Sequence, residues 1–78
     1  MNVNEKVTVG LVDNTPKYIQ WRGRNYTITQ IGLHHHFREG KTLYHVFSVI
    51  SGTLFMRLKL DTENLQWRLD GINDWLED

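Results

Sequence analysis

Seventy-eight residues, 40% of them hydrophobic, make one small domain rather than two. The absence of cysteine excludes disulfide stapling and any cysteine-based zinc site, and a formal net charge of zero gives no overall basic field. A chain of this size buries only about 60% of its unfolded surface, so the core must draw on its three Trp, three Tyr and three Phe.

The start, Met1-Asn2-Val3-Asn4-Glu5, lacks the apolar run of a signal peptide, and no stretch approaches the ~18 apolar residues of a membrane span. The expectation is a soluble, cytoplasmic protein without membrane contact. Charge is unevenly spread. Residues 17–60 hold Lys17, Arg22, Arg24, Arg38, Lys41, Arg57 and Lys59 against Glu39 alone, a net +6. Residues 61–78 hold Asp61, Glu63, Asp70, Asp74, Glu77 and Asp78 against Arg68, a net −5.

Along the chain, alternation of apolar and polar residues between turn signals marks strands. Residues 1–6 and 77–78 read as flexible ends of a single domain, and Val7-Thr8-Val9-Gly10-Leu11 alternates as a further strand. Lys17–Arg22 and Asn25–Ile31 flank a turn. With Gly23-Arg24 central, Trp21 opposes Tyr26 and Ile19 opposes Ile28, all on one face; with Arg22-Gly23 central, Trp21 would oppose Arg24, so burial favours the former. Gly32 falls where the parity of the apolar residues slips between Ile28 and Ile31, which predicts a bulge.

The second hairpin joins Thr42–Ile50 to Thr53–Leu60 through Ser51-Gly52. It opposes Val49–Leu54, Phe47–Met56, His45–Leu58 and Leu43–Leu60. The loop Asp61-Thr62-Glu63-Asn64 then leads to Leu65–Leu69, opposing Leu60–Leu65, Leu58–Trp67 and Met56–Leu69. Three turns agree on one apolar face. Asp74, Trp75 and Leu76 would close a short C-terminal helical turn. The predicted fold is all-β: a five- to six-stranded antiparallel meander, a rolled sheet or an SH3- or OB-like barrel.

His34-His35-His36 and His45 raise the question of a metal. On a strand His34 and His36 share a face, but the run leads into the turn Arg38-Glu39-Gly40-Lys41, where histidines are commonly solvated. They are weak candidates, and no metal or cofactor is expected. His45 reads as a neutral histidine at the core edge. Catalysis lacks a nucleophile in a recognisable setting and a glycine-rich phosphate loop, so the chain reads as a non-enzyme.

The other sheet face is the more informative one. The register above opposes Arg57 and Arg68, a destabilising like-charge pair, with Lys59 and Tyr44 alongside and Phe55 beside Arg57. Arginines among exposed aromatics suit stacked bases and paired phosphates. Lys and Arg on outer strands also guard against aggregation, and tail carboxylates such as Asp74 or Glu77 could bridge the arginines. Arg22 and Arg24, at the hairpin tip, would extend the basic surface.

Trp21-x-Gly23-x-x-Tyr26-x-Ile28, Tyr44-His45-Val46-Phe47, the turn at Gly52, Leu58-x-Leu60-Asp61 and Trp67-x-Leu69 together resemble a small bacterial domain of unknown function. The resemblance spans about residues 16–74, in order. Members of that family are short, and some are encoded near DNA-repair polymerases, which implies a nucleic-acid or repair-complex role. At His34-His35-His36 the chain departs from the family pattern, where a Trp is more usual.

The sequence therefore predicts a non-catalytic binding module that contacts nucleic acid or another polyanion through Tyr44, Phe55, Arg57, Lys59 and Arg68, with Arg22 and Arg24. The alternatives are a protein-interaction or homodimerisation module, using Ile50, Phe55, Trp75 and Leu76, and a His-rich metal-binding protein.

Overall fold

The structure is a computed structural model that describes residues 2–74. Among them lie seven strands: β1 (Asn2–Val12), β2 (Thr15–Trp21), β3 (Arg24–Thr27), β4 (Gln30–Glu39), β5 (Thr42–Ser51), β6 (Leu54–Asp61) and β7 (Gln66–Asp74). No described helix is long and apolar enough to cross a membrane. Trp75 and Leu76, expected to close a C-terminal turn, lie outside the described residues.

The strands form one antiparallel sheet in the order β3-β2-β1-β7-β6-β5-β4. β1 begins at Asn2, its residues 2–7 pairing with β7 and its residues 8–12 with β2, so the segment expected as a flexible lead is paired into the sheet on its β7 side. The two edge strands are consecutive in sequence. Laid flat, seven strands spaced about 4.8 Å apart would separate β3 from β4 by roughly 29 Å. Thr27 and Gln30 are three peptide units apart and span at most about 11 Å. The sheet must therefore roll. The link is fixed on both sides: Ile28 N–H donates to the Lys17 carbonyl on β2 (2.9 Å) and Thr29 N–H to the Ile50 carbonyl on β5 (2.8 Å). β3 and β4 do not pair with each other, so the roll stays open as a ladder. This bend divides residues 24–39 into two strands, which brings the number of strands above the expected five or six.

The roll encloses the core. Ile19, Val49, Met56, Leu58 and Leu69 are completely buried, joined by Val7, Trp67 and Ile72. Burying each such side chain contributes roughly 1.5–3 kcal/mol. The face predicted to be apolar is this inner face.

The predicted pairings are corrected in all three hairpins, each by two residues. In the first, Ile19 opposes Tyr26 and Trp21 opposes Arg24. The central turn residues are Arg22 and Gly23, with φ of 51° and 75°, as a type I′ turn requires; its twist matches that of the strands. In the second, Val49 opposes Met56, Phe47 opposes Leu58 and His45 opposes Leu60. Gly52 now takes the first central position, with a φ of 59°. In the third, Leu60 opposes Trp67 and Leu58 opposes Leu69. Leu65, predicted to face Leu60, instead sits in the turn with a φ of 58° and is 72% exposed. Thr62 there donates from its backbone N–H and its hydroxyl to the Leu43 carbonyl, while Asp61 and Asn64 accept from the Glu63 and Gln66 N–H groups. The predicted bulge near Gly32 is present, as a shift of register between Ile31 and His34.

A left-handed conformation is costly for arginine, on the order of 1–2 kcal/mol, and Arg22 is held in it by side-chain contacts. Its guanidinium lies 4.6 Å from the Trp21 ring centroid and pairs with Glu5 of β1. Glu5 also accepts the Trp21 indole N–H at 2.9 Å. These hydrogen bonds, first from Arg22 and then from Trp21, hold the Glu5 carboxyl below its ordinary value of 4.5.

A group whose folded pKa is depressed adds stability above its unfolded pKa and loses it as the pH falls through the folded value. The Glu5→Gln variant should therefore unfold at lower denaturant concentration than the wild type at pH 7. The gap should close as the pH drops below 4.5. Denaturant titrations at several pH values check this, and a gap independent of pH would refute the assignment.

Candidate nucleic-acid interface

The outer face of the roll is set by the same alternation that builds the core. On β7, Trp67 and Leu69 point inward and leave Arg68 outside; on β6, Leu58 and Leu60 do the same for Lys59. The ladders oppose Lys59 to Arg68, and Arg68 to Lys6 on β1. Three cations thus stand in one row across β6, β7 and β1. Among the described residues none of the three has a carboxylate within ion-pair distance. Among the described residues Arg68 donates to the backbone carbonyl of Asn4, at 3.3 Å.

Aromatic side chains flank the row at the β5 end. Phe37 of β4 and Tyr44 of β5 oppose each other, their rings stacked with centroids 5.2 Å apart. The Lys59 ammonium lies 4.3 Å from the Tyr44 centroid and 5.5 Å from that of Phe37. Beside them is a cleft of about 350 Å³ lined by Asn4, Tyr44, Lys59, Asp61, Asn64, Gln66 and Arg68. Asp61 is the one acid in that lining, and one of its oxygens is engaged by the Glu63 N–H.

The predicted site residues divide. Tyr44, Lys59 and Arg68 come together. Arg57 does not oppose Arg68: a bulge between Arg57 and Leu58 shifts the ladder so that Arg57 faces Gly71, and its Nε donates to Asp70 at 2.9 Å. This arginine is neutralised within the sheet, by Asp70. Phe55 shares the outer face but lies four residues from Lys59, roughly 13 Å along β6, and opposes Ile50. Arg22 is bound to Glu5, and Arg24 sits at the β2–β3 tip opposite Trp21, so neither joins the row. The residues that sequence reasoning missed are Lys6 and Phe37. Lys6 enters through the pairing of β1 with β7, which local alternation does not reveal. Phe37 could have been found from its parity with His35.

Three of the four histidines, His34, His36 and His45, lie on the inner face, toward the β4 edge. His34 and His36 do share a face, and His45 joins them, with His34 Nε2 and His45 Nδ1 2.9 Å apart. His34 stacks on Phe47 with centroids 4.0 Å apart, and His36 and His45 centroids are 5.7 Å apart. Burial, and then the neighbouring histidines, lower the His34 pKa. Among the described residues no group of three or more His, Cys, Asp or Glu is placed to hold a metal ion. His45 opposes Leu60 rather than Leu58.

Comparison with known proteins finds no significant match to a protein family, a curated protein or a solved structure.

Like charges directly opposed across strands are destabilising by roughly 0.2–1 kcal/mol, and salt screens exposed pairs. Arg68→Gln should therefore stabilise the free protein by a few tenths of a kcal/mol at low salt. At 1 M salt the gain should vanish. Thermal melts at the two ionic strengths check it, and a variant less stable than the wild type at low salt would show the row to be compensated internally.

Proposed function

We propose that this chain is a non-catalytic binding module, acting in the cytoplasm, that contacts nucleic acid through the outer face of its rolled sheet. The observation that carries the reading is the row Lys59–Arg68–Lys6, with like charges opposed at both steps and no carboxylate partner among the described residues. A polyanion laid across the strands would relieve that repulsion and release its own counterions. The aromatic pair Phe37–Tyr44 orients Lys59, and Tyr44 lines the cleft where a phosphate would sit. The resemblance of the hairpin and strand motifs to a bacterial domain encoded near repair polymerases agrees with this reading. A protein-interaction role has a smaller basis, the apolar Ile50–Phe55 pair with Phe55 38% exposed, and sedimentation at several concentrations would reveal self-association.

Three cations neutralising three phosphates of a single strand predict a slope of log affinity against log salt of about −2. The Lys59→Glu/Arg68→Glu variant should lose most of that slope and bind at least tenfold more weakly at low salt. Fluorescence anisotropy with a labelled single-stranded oligonucleotide measures both. Undetectable binding at low salt, or an unchanged affinity in the double variant, would overturn the proposal.

A further inference from the structure

β1 presents Lys6, Thr8 and Gly10 in alternation on the outer face, and Gly10 opposes Tyr18 of β2. The Tyr18 ring lies directly over the Gly10 backbone: a Cβ at residue 10 would fall 1.9 Å from Tyr18 Cε1 and 2.2 Å from Cζ. The glycine thus lets an aromatic ring lie along the sheet rather than stand away from it. Tyr18 nevertheless remains 42% exposed. Tyr44, by contrast, is stacked on Phe37 and approached by Lys59, which leaves less of its ring open to a ligand.

Exposed hydrogen-bonding side chains surround the ring. Thr8 opposes Gln20, Gln20 opposes Asn25, and Tyr18 opposes Thr27. Along β1, Gly10 is four residues from Lys6, roughly 13 Å. A short length of strand with phosphates on Lys6, Arg68 and Lys59 would reach this ring with its next bases. Aromatic rings seated this way accept any base, because every base has a π-face.

We infer that Tyr18, seated on Gly10, is the base-stacking platform of a single-stranded nucleic-acid surface, with Thr8, Gln20, Asn25 and Thr27 available to base edges. The inference rests on the reading of the cation row as a phosphate site and adds the part of the ligand that a phosphate site alone would ignore. A duplex, whose bases are stacked on one another, does not offer such a face.

The test compares a single-stranded oligothymidylate with an abasic oligomer of the same length, on the full chain, by fluorescence anisotropy. Tyr18→Ala should bind oligothymidylate about 5- to 150-fold more weakly, with the salt slope unchanged, while Tyr18→Trp keeps the affinity. Wild-type protein should bind the abasic oligomer about as weakly as Tyr18→Ala binds oligothymidylate. Gly10→Ala should also weaken binding while the protein stays folded, because the displaced group is an exposed side-chain ring rather than backbone. That variant and the abasic comparison decide the matter even if Tyr18→Ala fails to fold. Equal wild-type affinity for the two oligomers, with Lys59→Glu/Arg68→Glu still abolishing binding, would leave the phosphate surface standing and overturn the role of Tyr18. Polyglutamate bound as tightly as the oligothymidylate would overturn it as well, in favour of an acidic protein partner.

Discussion

Two residues, Ile28 and Thr29, impose the shape of this molecule. They join strands at opposite ends of the ladder, and their N–H groups are committed to β2 on one side and β5 on the other. A flat sheet is incompatible with so short a link, so the sheet curls and acquires an inside and an outside. Everything else follows from that division. The inside removes Ile19, Val49, Met56, Leu58 and Leu69 from water. The outside leaves alternate residues of the same strands in solvent, where charge can be kept at low cost. The two edges differ: β3 is only four residues long, while β4 presents a ten-residue edge.

Alternation made the buried face legible and left the pairing undetermined. Each hairpin departs from the predicted register by two residues, and a slip of two keeps every side chain on its own face. Burial therefore cannot distinguish the two registers. Turn chemistry can, and it decided each case: Arg22 and Gly23 both take positive φ, Gly52 moves to the first central position, and Leu65 is drawn into a left-handed turn. Arg22 and Leu65 are poor residues for those conformations, so propensity pointed away from them. The Arg22 conformation becomes affordable only through Glu5, whose placement depends on β1 lying beside β2 and β7, information that no local window contains.

The same mechanism sorted the candidate site. Lys59, Arg68 and Tyr44 survive the register change because their parity is unaltered. Arg57 drops out because a bulge near Asp70 and Gly71 places a carboxylate beside it, and a bulge breaks parity where a slip of two does not. Lys6 was hidden in the non-local pairing of β1. The predicted basic face therefore keeps Lys59, Arg68 and Tyr44, loses Arg57 and Phe55, and gains Lys6. The sequence resemblance could not have corrected this, since it brings no site residues with it.

The row Lys59–Arg68–Lys6 is informative for the contrast it makes with the rest of the outer surface. Arg57 and Arg22 show that this sheet supplies a carboxylate to an arginine where it can, from Asp70 and from Glu5. The ladder positions beside Arg68 could equally have held acids, and cross-strand pairs of opposite charge would have been favourable there. Instead both are lysines. Protection against edge pairing does not account for Lys59 and Arg68, which have ladder partners on both sides, whereas Lys6 lies on the part of β1 that pairs with β7 alone. On the function proposed above, a cation row that repels itself, beside aromatic rings and within reach of a glycine-seated tyrosine, would be met by a ligand that brings its own negative charge.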